Sequence, residues 1–278
     1  MKRLLSIELQ EIWKNKASRV LTIAYFVILS FIALIASIKI NLGPIQFHLA
    51  DEGIFNFPYI WHFNTYIAAI LKFFLAIVIV SMMANEYSYG TLKQNLIDGM
   101  SKKEFITSKF LTVILFALGS TLFVFIMSLI LGYSFSSYNE LSIVFSDLEY
   151  ILAYFVKLAG FFSFCLFLGI LVKRSAFALG FLLVWSIAEG IMSGLLHFKI
   201  FPDSPIADRI TQFFPLEAMG NLIVEPFSRL SFIKSIGTQI GVSDVKDYSV
   251  HFSAIIIVLA WTVIFMLMSY KILQKRDL

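Results

Sequence analysis

Long unbroken apolar runs alternate with short polar stretches along this chain, without the strict two-residue alternation of barrel strands. Six runs reach the length of about 18–20 residues that a bilayer-crossing helix needs: about 20–39, 65–84, 110–133, 150–172, 176–196 and 252–270. Helices are expected because hydrocarbon leaves no partner for open backbone groups. The predicted fold is an all-α membrane protein, a single domain over 1–278. Residues 1–19, MKRLLSIELQEIWKNKASR, form no span. Leu5, Leu9, Ile12 and Trp13 recur at helical spacing there, with Lys and Glu opposite, as in an amphipathic helix lying at the interface. That segment reads either as a topology signal or as a docking element. The first run is too long for a signal-peptide core and is expected to stay as an anchor. Residues 40–64 form an outer segment. Residues 197–251 form a longer one, expected to carry helices lying at, or dipping into, the outer leaflet because Pro215 and Pro226 interrupt its apolar stretch.

The segment 85–109, NEYSYGTLKQNLIDGMSKKEFITSK, is far more polar than a connection between two spans requires. Thr91 and Gln94 have the spacing of a capping box, as do Ser101 and Glu104. Gly90 permits a sharp turn out of the second span, and Gly99 suits the left-handed residue that ends a helix. The spacing predicts a two-turn helix over 92–98, followed by the helix that becomes the third span. A helix this short is unstable by itself. Its Leu92, Leu96 and Ile97 therefore call for a covering surface, either the membrane or a cytoplasmic protein.

Composition sharpens the class. The chain is 59% hydrophobic and 14% charged, with a mean hydropathy of +0.85, against about 25% charged residues in soluble domains. The net charge of +4 makes no case for nucleic acid, but its distribution sets an orientation. With the N-terminus inside, 14 Lys and Arg fall in cytoplasmic segments. Six fall outside (Lys39, Lys199, Arg209, Arg229, Lys234 and Lys246), so both termini are expected in the cytoplasm. Cys165 lies inside an apolar run and offers neither a disulfide nor a thiol metal site.

The order Glu86, Gly90-Thr91-Leu92, Ser101-Lys102 and Lys109, between the second and third of six spans, resembles the permease subunits of ABC type-2 exporters. The amphipathic N-terminus, the basic turn Lys173-Arg174-Ser175 and the long segment before the last span agree with it. The resemblance covers essentially the whole chain, and Glu-x-x-x-Gly-Thr is its specific part. It implies that the 85–109 loop carries a coupling helix seated in a separate ATPase subunit. Glu86, Gly90, Thr91, Leu92 and Leu96 would contact or position that ATPase, with Lys173 and Arg174 at the second cytoplasmic turn. It further implies two ATPase copies holding ATP and Mg, and a second permease chain, identical or related. The home is then a bacterial inner membrane. The outer segment of 197–251 is longer than in many relatives, so its details do not carry over.

No G-x-x-x-x-G-K-[ST] occurs, so no P-loop lies in this chain. Neither H-E-x-x-H nor G-x-S-x-G is present, which argues against an enzyme. The four histidines (His48, His62, His197 and His251) fall in outer segments and read as polar surface rather than metal ligands. Lys72, Lys157 and Glu189 are ionisable residues inside spans, where charges are costly and face a partner or cavity. Counting about 1.5 Å per residue puts all three in one layer, so Glu189 is expected to pair with Lys157 or Lys72. Such a pair serves packing or else substrate passage. Gly190-x-x-x-Gly194 permits close helix approach, within the chain or at a dimer interface. The expected function is export of an amphiphilic substrate. An ATP-independent transporter or an assembly scaffold is the alternative; an ion-coupled carrier would need Glu189 and could tolerate Leu96→Asp.

Overall fold

The computed structural model describes residues 2–37, 40–42, 45–47, 53–202, 204–230 and 246–276. Lys39, His48, Lys234 and the 231–245 part of the long outer segment lie outside the described residues. The chain is almost entirely helical. In order come α1 (Lys2–Lys14), α2 (Lys16–Ser37), an antiparallel hairpin of β1 (Ile40–Leu42) and β2 (Ile45–Phe47), α3 (Tyr59–Ile70), α4 (Lys72–Ser88), α5 (Thr91–Ile97) and α6 (Lys102–Phe135). Then follow α7 (Leu141–Val144), α8 (Glu149–Val172), α9 (Ser175–Leu195) extended by a π turn (Leu196–Ile200), α10 (Pro205–Thr211), α11 (Pro215–Asn221) and α12 (Phe252–Lys275).

Among the described residues five helices are long and apolar enough to cross a membrane, or six if a bent pair counts as one span. The pair is α3 and α4, which meet at Leu71 with a 45° bend. This corrects the second span, expected as one helix over 65–84 with 40–64 outside the bundle. Tyr59–Ile70 is apolar and aromatic enough to pack inside, so Ile60, Trp61 and His62 are buried. The break makes Lys72 the first residue of α4. A cation at a helix N-terminus is locally unfavourable, so packing rather than local electrostatics places it there. The helix expected to begin at the Ser101–Glu104 box and continue into the third apolar run does so, since α6 runs without interruption from Lys102 to Phe135.

One helix organises the rest. The apolar stretch of α8 is mostly buried, whereas the other continuous spans bury a third or less of theirs. Its small residues explain this. At Gly160 an added Cβ would lie 2.8 Å from Val258 Cγ1 on α12 and 3.2 Å from Met219 Cε on α11; at Gly169 it would lie 3.0 Å from Met83 Cβ on α4. Two spans, α4 and α12, and the short helix α11 therefore pack closely on α8 at its glycines, which small residues allow where lipid offers no hydrophobic drive. A buried hydroxyl triangle ties α2, α6 and α8: Tyr25 to Ser120 at 2.5 Å, Tyr25 to Tyr154 at 2.8 Å and Ser120 to Tyr154 at 2.8 Å. On the outside, Phe31, Leu122, Leu183, Val184, Ile187 and Val263 stay exposed, a surface for lipid or another chain.

The close approach at Gly160 has a measurable consequence. Gly160→Leu should cost about 1–3 kcal/mol by overpacking and lower the unfolding temperature of the detergent-solubilised chain. Gly119→Leu, where nothing lies within 4 Å of the added carbon, should leave it unchanged. Equal effects of the two substitutions would refute the packing assigned to α8.

Candidate functional site

The polar interruption folds into a compact unit whose parts lock in sequence order. Helix α4 ends at Ser88, and Gly90 (φ +70°) turns the chain through the left-handed region. Helix α5 follows and ends with Gly99 at φ +99°. Gly99 N–H donates to Leu96 O at 3.2 Å and Met100 N–H to Asn95 O at 3.0 Å, the Schellman pattern that satisfies terminal carbonyls. Ser101 caps α6: Glu104 N–H donates to Ser101 Oγ at 3.2 Å, and Ser101 N–H donates to Glu104 Oε2 at 2.9 Å. The second expected capping box thus forms. The first does not. Gly90, not Thr91, is the N-cap of α5, and the Thr91 hydroxyl instead donates to Glu86 Oε2 at 2.5 Å.

That bond explains the spacing of Glu86, Gly90 and Thr91. The left-handed glycine folds the chain back so that the hydroxyl reaches the carboxylate five residues earlier. Oε1 of Glu86 is taken by the Lys109 ammonium. Lys109 is fully buried and also donates to Glu8 Oε2 at 2.6 Å, while Ser108 Oγ donates to Glu8 Oε1 at 3.1 Å. Four elements, α1, α4, α5 and α6, therefore meet on one ammonium and two carboxylates. Glu8 was missed in the sequence because it was counted on the polar, solvent-facing side of the amphipathic N-terminal helix. The structure rotates that helix: Glu8 and Ile12 are buried, while Trp13 is 55% exposed. The signal was there, since Glu8 and Ile12 sit one turn apart on one face.

Within the unit the expected docking residues divide. Glu86 and Leu92 are buried and Leu96 half-buried, so these three position α5. The outward face consists of Tyr89, Lys93, Gln94, Ile97 and Asp98, with Ile97 74% exposed. Lys173 and Arg174 lie at the α8–α9 turn at the same end of the bundle. Lys173 adopts φ +65° and places Nζ 5.6 Å from the Tyr87 ring, and Arg174 is exposed. Arg276 joins them by donating to Tyr87 Oη at 2.9 Å and Leu171 O at 2.9 Å. Lys102 Nζ donates to Gln274 O at 3.2 Å and Arg276 O at 2.9 Å. The N-terminal helix and the end of α12 therefore share one end of the bundle with the 85–109 loop.

A cleft of about 370 Å³ opens beside this network, lined by Glu11, Lys14, Asn15, Met82, Glu86 and Thr91 among others. Glu8, Glu11 and Glu86 bring carboxylate oxygens within 4.8 Å of one another. The Lys109 ammonium, bound to two of them, already supplies the cation such a cluster would recruit. Partial burial in the cleft, reinforced by Glu86 and Glu8 and opposed by Lys109, holds the Glu11 carboxyl above its ordinary range.

The intramembrane charges are arranged differently from expectation. Glu189 pairs with neither lysine. Its Oε1 accepts from Trp185 Nε1–H, and its Oε2 accepts from the N–H groups of Leu216 (2.9 Å) and Glu217 (3.1 Å). These are first-turn donors of α11, which has no side-chain cap of its own. Lys157 Nζ donates to Gly220 O at 3.2 Å, near the other end of the same helix. A carboxylate at the N-terminus and an ammonium at the C-terminus match the helix dipole. Trp261 Nε1–H donates to Phe213 O at 3.0 Å, so three spans hold the outer segment in place. Lys72 stands apart from Glu189, with Nζ 4.5 Å from the Phe161 ring centre. His62, expected as surface, is buried. Its Nε2 lies 2.7 Å from Val224 O and its ring stacks on Tyr150.

Removing one partner from a buried ion pair costs about 3–5 kcal/mol. Lys109→Met should therefore destabilise far more than Thr91→Val, which removes one hydrogen bond to a charged group, about 1.5–3 kcal/mol. Thermal unfolding in detergent gives the order, and a silent Lys109→Met would break the network reading. For α11, Glu189→Gln keeps an acceptor and should retain the outer segment, whereas Glu189→Ala should open it. Limited proteolysis at 197–230 reports the difference, and identical patterns for the two variants would contradict the capping role.

Residues 23–278 match the model of a family described as Protein of unknown function (DUF2705). No curated protein matches the chain.

Proposed function

The chain belongs to the DUF2705 family, whose description assigns no function, and from its residues we propose that it is the membrane-spanning permease subunit of an ATP-driven ABC type-2 exporter. The carrying observation is the coupling loop. Helix α5 is held between two left-handed glycines and anchored through Leu92 and the Glu86–Lys109–Glu8 network, with Ile97 and Lys93 facing outward. A seven-residue helix with an exposed isoleucine at its tip suits insertion into a groove of another protein, as amphipathic helices dock by a few apolar anchors. The anchoring suits transmission. A push on α5 reaches α4 through Thr91 and Glu86, and reaches α1 and α6 through Lys109. Coupling of this kind needs two states with different affinity for the effector, and a rigid, multiply bonded helix passes displacement on rather than absorbing it.

In this reading the end holding α5 and both terminal helices faces the cytoplasm of a bacterial cell, and the chain sits in the inner membrane. Two ATPase subunits carry ATP and Mg, and a second permease, identical or related, completes the path. The exposed apolar faces of α2 and α9 offer surface for that partner and for lipid. Hydrolysis itself is left to the ATPase. The cargo is an amphiphile that leaves through the membrane-embedded part.

The test is co-expression with the neighbouring genes, followed by a search for a P-loop ATPase that copurifies. Wild type should retain an ATPase through purification. Ile97→Asp and Leu96→Asp should each release it, and Ile97→Asp should leave unfolding within about 0.5 kcal/mol of wild type, as for other surface changes. Retention of the ATPase by Ile97→Asp, or no ATPase with wild type, defeats the docking role of α5.

A further inference from the structure

Far from the coupling loop, two lysines in the bundle wall have no carboxylate to neutralise them. Lys72 and Lys157 line one open cleft of about 420 Å³, together with Tyr66, Ile70, Phe73 and Ile223. No Asp or Glu oxygen lies within ion-pair distance of either among the described residues. Lys157 gives one hydrogen bond, to Gly220 O. An ammonium has three donors, so two are left for the cleft. The Lys72 ammonium lies over aromatic rings, 4.5 Å from the centre of Phe161 and 5.7 Å from that of Phe73. It opens α4, a helix whose N-terminal end has no side-chain cap and carries the positive end of the dipole. The one carboxylate in the wall, Glu225, is already engaged. Lys246 Nζ lies 2.8 Å from it, and it accepts from Ser228 Oγ–H and from the N–H groups of Phe227 and Ser228. Burial would raise the Glu225 carboxyl, but Lys246 and Ser228 outweigh it and hold that group low and ionised.

We propose that this cleft is a binding site for a phosphate-type anion carried by a membrane amphiphile. Charges in a bilayer are tolerated where they find a partner, and the described residues supply no carboxylate for this pair. A phosphate offers several acceptor oxygens to two point-like ammonium groups that approach from different helices. The surroundings fit the tail. Ile70 is 53% exposed and Phe73 48% exposed on the rim, so an alkyl chain emerging from the cleft meets apolar surface. Depth fits as well. Lys157 stands roughly 12 Å along α8 from its start, counting 1.5 Å per residue, at the end of the bundle away from the coupling loop. The site rests on the membrane placement of the chain and deepens the exporter reading by giving its amphiphile a headgroup chemistry. Lys157 serves it twice, because the ammonium that would meet the anion also holds α11 at Gly220.

The probes are phosphatidylglycerol, phosphatidylcholine and inorganic phosphate, added to the purified full-length chain in detergent and followed by native mass spectrometry. No ATPase is present, so failure here leaves the docking of α5 untouched. Phosphatidylglycerol should bind more tightly than phosphatidylcholine, and Lys72→Gln should weaken it about tenfold, the scale of one charge-assisted hydrogen bond, without moving phosphatidylcholine. Lys72 makes no hydrogen bond to the protein among the described residues, so this variant keeps the fold. Lys157→Gln retains a donor for Gly220 O and should act similarly, while Lys199→Gln on the exposed π turn should do nothing. Displacement of phosphatidylglycerol by millimolar inorganic phosphate would assign the anion to a soluble phosphate; resistance to it would assign the anion to the lipid. Unchanged phosphatidylglycerol binding in Lys72→Gln, or equal binding of the two lipids, overturns the site.

Discussion

A fully buried ammonium is the constraint on which the coupling end of this protein depends. Lys109 is completely enclosed, and an isolated charge in such surroundings is not tolerated. Glu8 and Glu86 must therefore be brought to it, and each brings a helix. Glu8 fixes α1 against α6, so the N-terminal helix is a structural member of the bundle end. Glu86 fixes the end of α4 against α6, and its second oxygen takes the Thr91 hydroxyl, which sets the direction in which α5 leaves the turn. The position of α5 is thus decided by charge neutralisation deeper in the protein. Its outward residues, Lys93, Gln94, Ile97 and Asp98, stay exposed because its inward ones are engaged.

The opposite half uses charge differently. Helix α11 is too short to be stable in isolation, and it is kept by Glu189 on one end, Lys157 near the other and Trp261 at the preceding carbonyl. Met219 of α11 packs beside Gly160 and Val258. The outer segment therefore descends against the middle of α8 instead of lying over it. The same helix α8 that packs closely on α4 and α12 at its glycines carries the lysine that holds α11. Helix α8 thus contacts both α4, which leads into the 85–109 loop, and α11 of the 197–251 segment. Lys72 stands at the bend of the α3–α4 span.

Much of this was legible in residue order. Apolar run lengths located the spans to within a few residues, except where α3 and α4 divide one run at Leu71. Gly90, Gly99 and the Ser101–Glu104 box marked the coupling loop because turn and cap chemistry is local, reading residues no more than four apart. Thr91 was misread as a cap for the same reason. Its hydroxyl could accept from the Gln94 N–H within local reach, but it donates instead to the charged Glu86 carboxylate across the turn. Glu8 and Lys109 were not legible as a pair, since a hundred residues separate them and neither has a neighbour that betrays it. Glu189 was correctly expected to need a partner, but its partners are backbone N–H groups, which no pattern of side chains records.

By itself the sequence determined the class, the spans, the loop between the second and third, and the residues whose charge demands an answer. These follow from composition, periodicity and backbone freedom, which act over a few residues. Only the tertiary structure decided which group answers each charge: two carboxylates for Lys109, one helix end for Glu189, one carbonyl for Lys157 and aromatic faces for Lys72. The physical reason is that desolvation sets how much each charge must gain, while the identity of the group that supplies it depends on which helices pack side by side.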